Sequence, residues 1–169
     1  RTLYNLQRVN LGFNQENLLV FKLQPQRDGY KDDRLLQFYQ RLFDRLDNLP
    51  GVRAATFARD PLIAMENSAA DILLPGEVEK TAAEHNTSRQ VVRENYFATL
   101  EIPLLQGRNF TARDDAPALN VAIVNQTFAH MFFSNDDVLG KHVTIIYNKR
   151  ELEIIGVVAD AKYGSQRAP

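Results

Sequence analysis

The chain of 169 residues contains no cysteine and no tryptophan, and only three histidines. Without cysteine there is no disulfide, no thiol nucleophile and no cysteine-ligated metal. Nothing about compartment follows, because a cytosol and a periplasm both accommodate cysteine-free chains. An excess of either charge is missing as well. The 20 basic and 21 acidic residues leave a net charge of −1, so no global field gathers nucleic acid or anionic lipid. No run of lysine or arginine marks a local basic patch. The longest apolar runs are residues 18–21 and 154–159, far short of the roughly 20 residues that span a bilayer. No secretory leader is visible. The chain opens on Arg1 and closes on Ala168-Pro169 soon after a strand-like segment. Both ends read as cuts in a longer protein.

What is present suits a packed domain. A composition of 44% hydrophobic and 24% charged residues argues against disorder. The length fits one domain, or two small lobes sharing a core. Leu3, Leu6 and Val9 fit a short amphipathic helix or a stalk, which Gly12 breaks. Residues 18–23 are apolar almost throughout, which predicts a strand covered on both faces. Leu35, Tyr39, Leu42, Leu46 and Leu49 then recur every three or four positions, opposite a charged face. That spacing predicts an amphipathic helix, capped by Asp32 or Asp33 and stopped at Pro50-Gly51. Residues 52–58 predict the returning strand of a βαβ-type unit. On this reading Leu42 and Phe43 are core, and truncating either to alanine costs about 2–5 kcal/mol.

Beyond a junction near residues 59–61 the elements shorten. Strands are expected at 70–74, 90–92 and 121–124, and a polar loop at 81–88. A short helix is expected over 94–100, and a second one follows Asn125, its natural cap. Phe128 and Phe132 face the core of that second helix. Residues 142–146 and 152–159 predict a hairpin around Asn148-Lys149-Arg150. The class is therefore α+β.

The search for chemistry returns little. Leu139-Gly140-Lys141 brushes against the phosphate-binding loop, but Asn135 and His142 stand where that motif needs glycine and a hydroxyl. His85, His130 and His142 include no pair at helical spacing that could grip a metal. The tandem acids Asp114-Asp115 and Asp136-Asp137 are adjacent residues that do not converge on one another. Serines 68, 88, 134 and 165 lack a nucleophile elbow. The glycosylation sequons at Asn86, Asn109 and Asn125 are no more than chance supplies. No residue is nominated as catalytic, cofactor-binding or metal-ligating, and no cofactor is expected.

Longer strings carry more information. Asn10-Leu11-Gly12-Phe13 precedes Glu16-Asn17-Leu18-Leu19, and Phe38-Tyr39 leads to Leu49-Pro50-Gly51-Val52. Then come Glu94-Asn95-Tyr96-Phe97-Ala98-Thr99-Leu100-Glu101-Ile102-Pro103-Leu104-Leu105-Gln106-Gly107-Arg108-Asn109-Phe110, Val121 to Phe128, Leu139-Gly140-Lys141 and Ile154-Ile155-Gly156-Val157-Val158-Ala159-Asp160. In order and spacing these resemble the MacB-like periplasmic core domain of ABC-transporter permeases, within the FtsX-like permease group. The chain departs from that pattern at Asp137-Val138, where the family often has proline, and over residues 64–88.

The resemblance implies a porter-like βαβ lobe beside a second mixed α/β lobe. It divides the chain into an entry or stalk segment at 1–16, a porter-like part at 17–60 and a second lobe at 61–169, the last cut short of further strands and a helix. It implies an extracytoplasmic domain on the periplasmic side of the bacterial inner membrane. Such a domain is non-catalytic and couples ATP-driven membrane motions to substrate export or adaptor-protein binding. The implied partners are an ABC ATPase reached through the membrane part, a periplasmic adaptor and a second copy of the permease. The residues alone leave open a soluble enzyme with a site assembled from distant positions, or a stand-alone ligand-binding protein.

Overall fold

Residues 150–158 form the longest strand among the described residues, and the sheet is built on them. The computed structural model describes residues 11–60, 68–77, 85–115, 120–133 and 138–161. In chain order the elements are α1 (Asp32–Asp47), β1 (Ala69–Leu73), β2 (Asn86–Ser88), α2 (Tyr96–Thr99), β3 (Leu104–Gly107), β4 (Val121–Asn125), α3 (Gln126–Phe132), β5 (His142–Ile145) and β6 (Arg150–Val158). Short 3-10 turns occupy Pro25–Asp28, Ala112–Asp115 and Ile146–Asn148. The α+β class expected from sequence is the class observed.

The strands form one six-stranded sheet with the path β2-β1-β5-β6-β3, and β4 pairs with β6 off that path. Strands β5 and β6 make the expected antiparallel hairpin, with Ile145 opposite Arg150. Lys149 closes its turn at φ 54°. Strand β4 runs parallel to β6, a pairing that requires a crossover; α3 and β5 supply it. Between Ala122 and Ile123 the β4–β6 register shifts, so that Ala122 faces Ile154 but Ile123 faces Gly156. The extra residue lies on β6. It moves the strand's next inward side chain from the alternating position to Val157.

Adjacent strand residues point to opposite faces, and each face carries its own core. Val124 and Val157 join Ile72, Phe128, Ala129, Val138, Val143 and Ile154 on one side, under α3. Their neighbours Ile123 and Val158 belong to the other, with Leu11, Phe13, Tyr96, Phe97, Leu100 and Ile102, under α2. Gly12 admits the entering chain to that second core. Its φ is +78°, and a Cβ there would stand 2.1 Å from the Asp160 carbonyl oxygen, so only glycine fits.

Several expectations fail here. Residues 18–23 belong to no ladder, and Leu19 is 82% exposed. Residues 52–57 are likewise unpaired as strand, and the segment enters only a single bridge, Ala58 to Val92. The expected strand at 90–92 reduces to that same bridge. An apolar run specifies an extended backbone, but a strand also needs a partner edge, and among the described residues these two runs have none beyond that bridge. The predicted cap of α1 is also wrong. Lys31 holds the cap position and makes no side-chain cap bond, while Asp32 and Asp33 lie in the first turn, where carboxylates meet the positive helix end. No residue of α1 is buried, so the full-burial cost expected for Leu42 and Phe43 does not apply. Asn86–Ser88 is strand rather than loop. Residues 1–10 and 81–84, with the expected stalk helix and the rest of that loop, lie outside the described residues.

Core depth therefore ranks differently from helix periodicity. Ile154 is fully buried and Leu36, on α1, is 63% exposed. Ile154→Ala is expected to lose about 2–5 kcal/mol in chemical denaturation, and Leu36→Ala to stay within about 0.5 kcal/mol of wild type. Equal losses would contradict this placement of the core.

Candidate functional site

Among the described residues, the chemistry-bearing side chains singled out in the sequence do not converge on one site. Gly140-Lys141 forms a turn fastened to β6, with Gly140 N–H donating to the Ile154 carbonyl at 2.8 Å. His142 and Lys141 line an open cleft of about 390 Å³ with Glu77, Glu151 and the 73–76 turn. His85 pairs instead with Glu77, Nε2 to Oε1 at 3.0 Å, and stands edge-on to Phe132. The Leu74 N–H, and after it His85, hold the Glu77 carboxyl below the usual carboxylate range. Among the described residues no three histidine or acidic side chains are grouped to hold a metal. Asp136-Asp137, Ser134 and Ser165 lie outside the described residues. Of the sequon asparagines, Asn86 donates to Asp71 and Asn125 to Asp160.

Polar clusters do exist, and each ties segments together. Asn125 caps α3 as expected, its Oδ1 accepting from Phe128 N–H at 3.0 Å. Asp160, which sequence reasoning passed over, completes that cap. It accepts from Asn125 Nδ2 at 2.7 Å, from Thr127 N–H at 2.9 Å and from Thr127 Oγ1 at 2.7 Å. Asp114 accepts from both terminal guanidinium nitrogens of Arg108, Nη1 at 2.8 Å and Nη2 at 2.9 Å, and also from the Thr111 N–H and hydroxyl. Its side chain is 6% exposed. The Arg108 guanidinium first, and the Thr111 donors after it, hold its carboxyl well below the usual range.

A third set of contacts joins residues 17–60 to the sheet. Phe57 and Arg59 bracket the bridge at Ala58: Arg93 N–H donates to the Phe57 carbonyl at 3.1 Å, and Arg59 N–H to that of Val91 at 2.9 Å. The Arg93 side chain then reaches α1. Its Nη1 lies 3.1 Å from Asp47 Oδ2 and 3.1 Å from the Ala55 carbonyl, and its guanidinium stacks 4.6 Å from the Phe43 ring centre. Asn95 Nδ2 adds a second bond to the Ala55 carbonyl at 3.0 Å. At the far end of α2, Glu101 receives Arg53 at 2.7 Å and Asn14 at 2.9 Å. Glu101 has φ 57°, a conformation that costs a non-glycine residue about 1–2 kcal/mol. It completes a helix-ending motif in which Ile102 N–H donates to Phe97 and Glu101 N–H to Ala98. Neither Arg93 nor Glu101 is visible as a contact residue in sequence, because their partners lie 46 and 48 positions away.

Asp114 makes a pH test possible. A folded-state pKa below the unfolded value of about 3.9 stabilises the protein above that pH, and the gain is lost as pH falls below it. Wild type is expected to lose stability below about pH 4 more steeply than Asp114→Asn, which itself is about 1–3 kcal/mol less stable at neutral pH. Parallel pH profiles of the two denaturation midpoints would show that the carboxylate is not held by its partners.

Comparison with known proteins places this architecture. Residues 6–168 match the family described as MacB-like periplasmic core domain. The macrolide export ATP-binding/permease protein MacB of Aggregatibacter actinomycetemcomitans is 30% identical over 130 residues, covering 75% of this chain and 19% of that protein. Its counterpart in Mannheimia succiniciproducens is 28% identical over 131 residues, covering 76% and 19%. This chain thus spans about a fifth of the length of these relatives. The crystal structure of the periplasmic region of MacB from Actinobacillus actinomycetemcomitans shares the fold at a TM-score of 0.53 and 22% identity, covering 72% of this chain and 50% of that one. No described helix is long and apolar enough to cross a membrane. With nearly its whole length matched, the chain belongs to the MacB-like periplasmic core domain family.

Proposed function

We propose that this chain is the extracytoplasmic, non-catalytic module of a bacterial ABC permease, on the periplasmic side of the inner membrane. It transmits ATP-driven membrane motions to substrate export or to an adaptor protein. The observation that carries the reading is the family match over residues 6–168, in company with relatives named as export ATP-binding/permease proteins. The joint described above supports it, since a transmitting module needs defined connections between its parts more than it needs a reactive centre. Nucleotide binding then belongs to other parts of the complete transporter, which works as a pair of permeases with an ABC ATPase.

Two measurements check this. Titration of the chain with Mg-ATP in a calorimeter is expected to give no binding heat; a micromolar affinity would overturn the non-catalytic assignment. In the complete transporter, replacing this domain by a short linker is expected to abolish export while ATP hydrolysis continues. Export at the wild-type rate would overturn the transmitting role.

A further inference from the structure

We propose that Arg93 is the positioning residue that sets the angle between the α1-bearing segment and the sheet. Among the described residues the backbone connection at this joint is slight: one antiparallel bridge, Ala58 to Val92, made by the two hydrogen bonds at Arg59 and Arg93. A single bridge holds two segments together but leaves rotation about it soft, because no longer ladder resists the twist. The Arg93 side chain crosses that axis. From a backbone fastened to Phe57, its guanidinium lies against Phe43 and Asp47 on α1 and against the Ala55 carbonyl on the return segment.

A planar guanidinium bonds the carboxylate and the carbonyl through Nη1 while its flat face lies on the ring and its Nε turns to Glu94; a lysine ammonium is a point charge without that flat, pre-organised face. Glu94 lies 3.5 Å from Nε and helps to hold the side chain in this pose. The strut has a rigid footing. Tyr96 N–H donates to the Arg93 carbonyl, and Tyr96 and Phe97 are buried in the core that also contains Val158 of β6. A displacement of α1 is therefore felt at the sheet through Arg93 and α2. The apolar face of α1 is half-covered, with Tyr39 against Phe57 of the return segment, and no residue of the helix is fully buried.

This inference deepens the transmitting role and rests on it only for the consequence to export. Because the chain has no native cysteine, spin labels can be placed at Gln40→Cys on α1 and Met131→Cys on α3, both exposed. A control pair, Met131→Cys with Lys149→Cys, stays within the sheet lobe. Wild type is expected to give one narrow distance for the Gln40–Met131 pair. Arg93→Ala is expected to broaden and shift it, and Arg93→Lys to do so less, with the control distance unchanged in both. An unchanged Gln40–Met131 distribution in both variants overturns the proposal. So does equal broadening of the control pair, which would make Arg93 a residue of the sheet's own stability.

The same variants in the complete transporter separate the two readings. Export per ATP hydrolysed is expected to fall in the order wild type, Arg93→Lys, Arg93→Ala. A broadened joint with unchanged export per ATP would uphold Arg93 as the strut and overturn the transmitting role.

Discussion

The fold depends on how completely β6 is surrounded. A buried strand must satisfy its hydrogen-bonding groups on both edges, and β6 does so by pairing with β5 along its first half, β3 along its second and β4 on the opposite edge. Turns finish the work where strands stop. Gly140 and Lys141 exchange bonds with Ile154, and Arg108 N–H donates to the Ile155 carbonyl. The extra residue opposite β4 puts Ile154 and Val157, three positions apart, on the same face, and strand alternation sends Val158 to the other, so one strand anchors both cores. Burial of Ile154, Val157 and Val158 contributes about 1.5–3 kcal/mol each, on a segment that no single edge could hold.

Polar contacts do a different job, at the periphery of this frame. Asp160, Arg93 and Glu101 each gather segments that are far apart in sequence, while Asp114 closes the short loop that follows β3. Charge-assisted bonds are directional, so they fix orientation where apolar packing would only fix proximity. The distinction matters most at the joint with residues 17–60. There the apolar cover is incomplete, and among the described residues α1 and its return segment meet the sheet side through one bridge and a set of polar contacts from Arg93, Asn95, Gln90 and Glu101. A domain that passes motion between its parts benefits from such an arrangement, because few contacts must rearrange when the angle changes.

Much of the chain beyond residue 120 was legible residue by residue. The hairpin around Asn148-Lys149-Arg150, the strand ending at Asn125, the asparagine cap and the helix carrying Phe128 all appear as expected. Each rests on local chemistry: alternation, a cap side chain, a turn in which one residue takes a positive φ. Residues 17–60 were less legible for a physical reason. The apolar runs at 18–23 and 52–58 carry strand composition, yet the backbone finds one bridge and no ladder among the described residues. The helical stripe of α1 predicted a buried face, and its residues remain half-covered at most. Periodicity reports which side of a helix is apolar; what covers that side is a tertiary matter.

By itself the sequence determined the class, strands β1 and β4, the β5–β6 hairpin and the asparagine-capped helix between them, the absence of thiol chemistry and the ordered strings that mark the family. These follow from local backbone preferences and from residue types, which need no partner to be recognised. Tertiary structure alone decided the parallel pairing of β4 with β6, the division of neighbouring valines between two cores, and the meeting of Arg93 with Phe43, Asp47 and Ala55. Those depend on which distant segments are brought together, and chain closure over tens of residues leaves no local trace in the spacing of side chains.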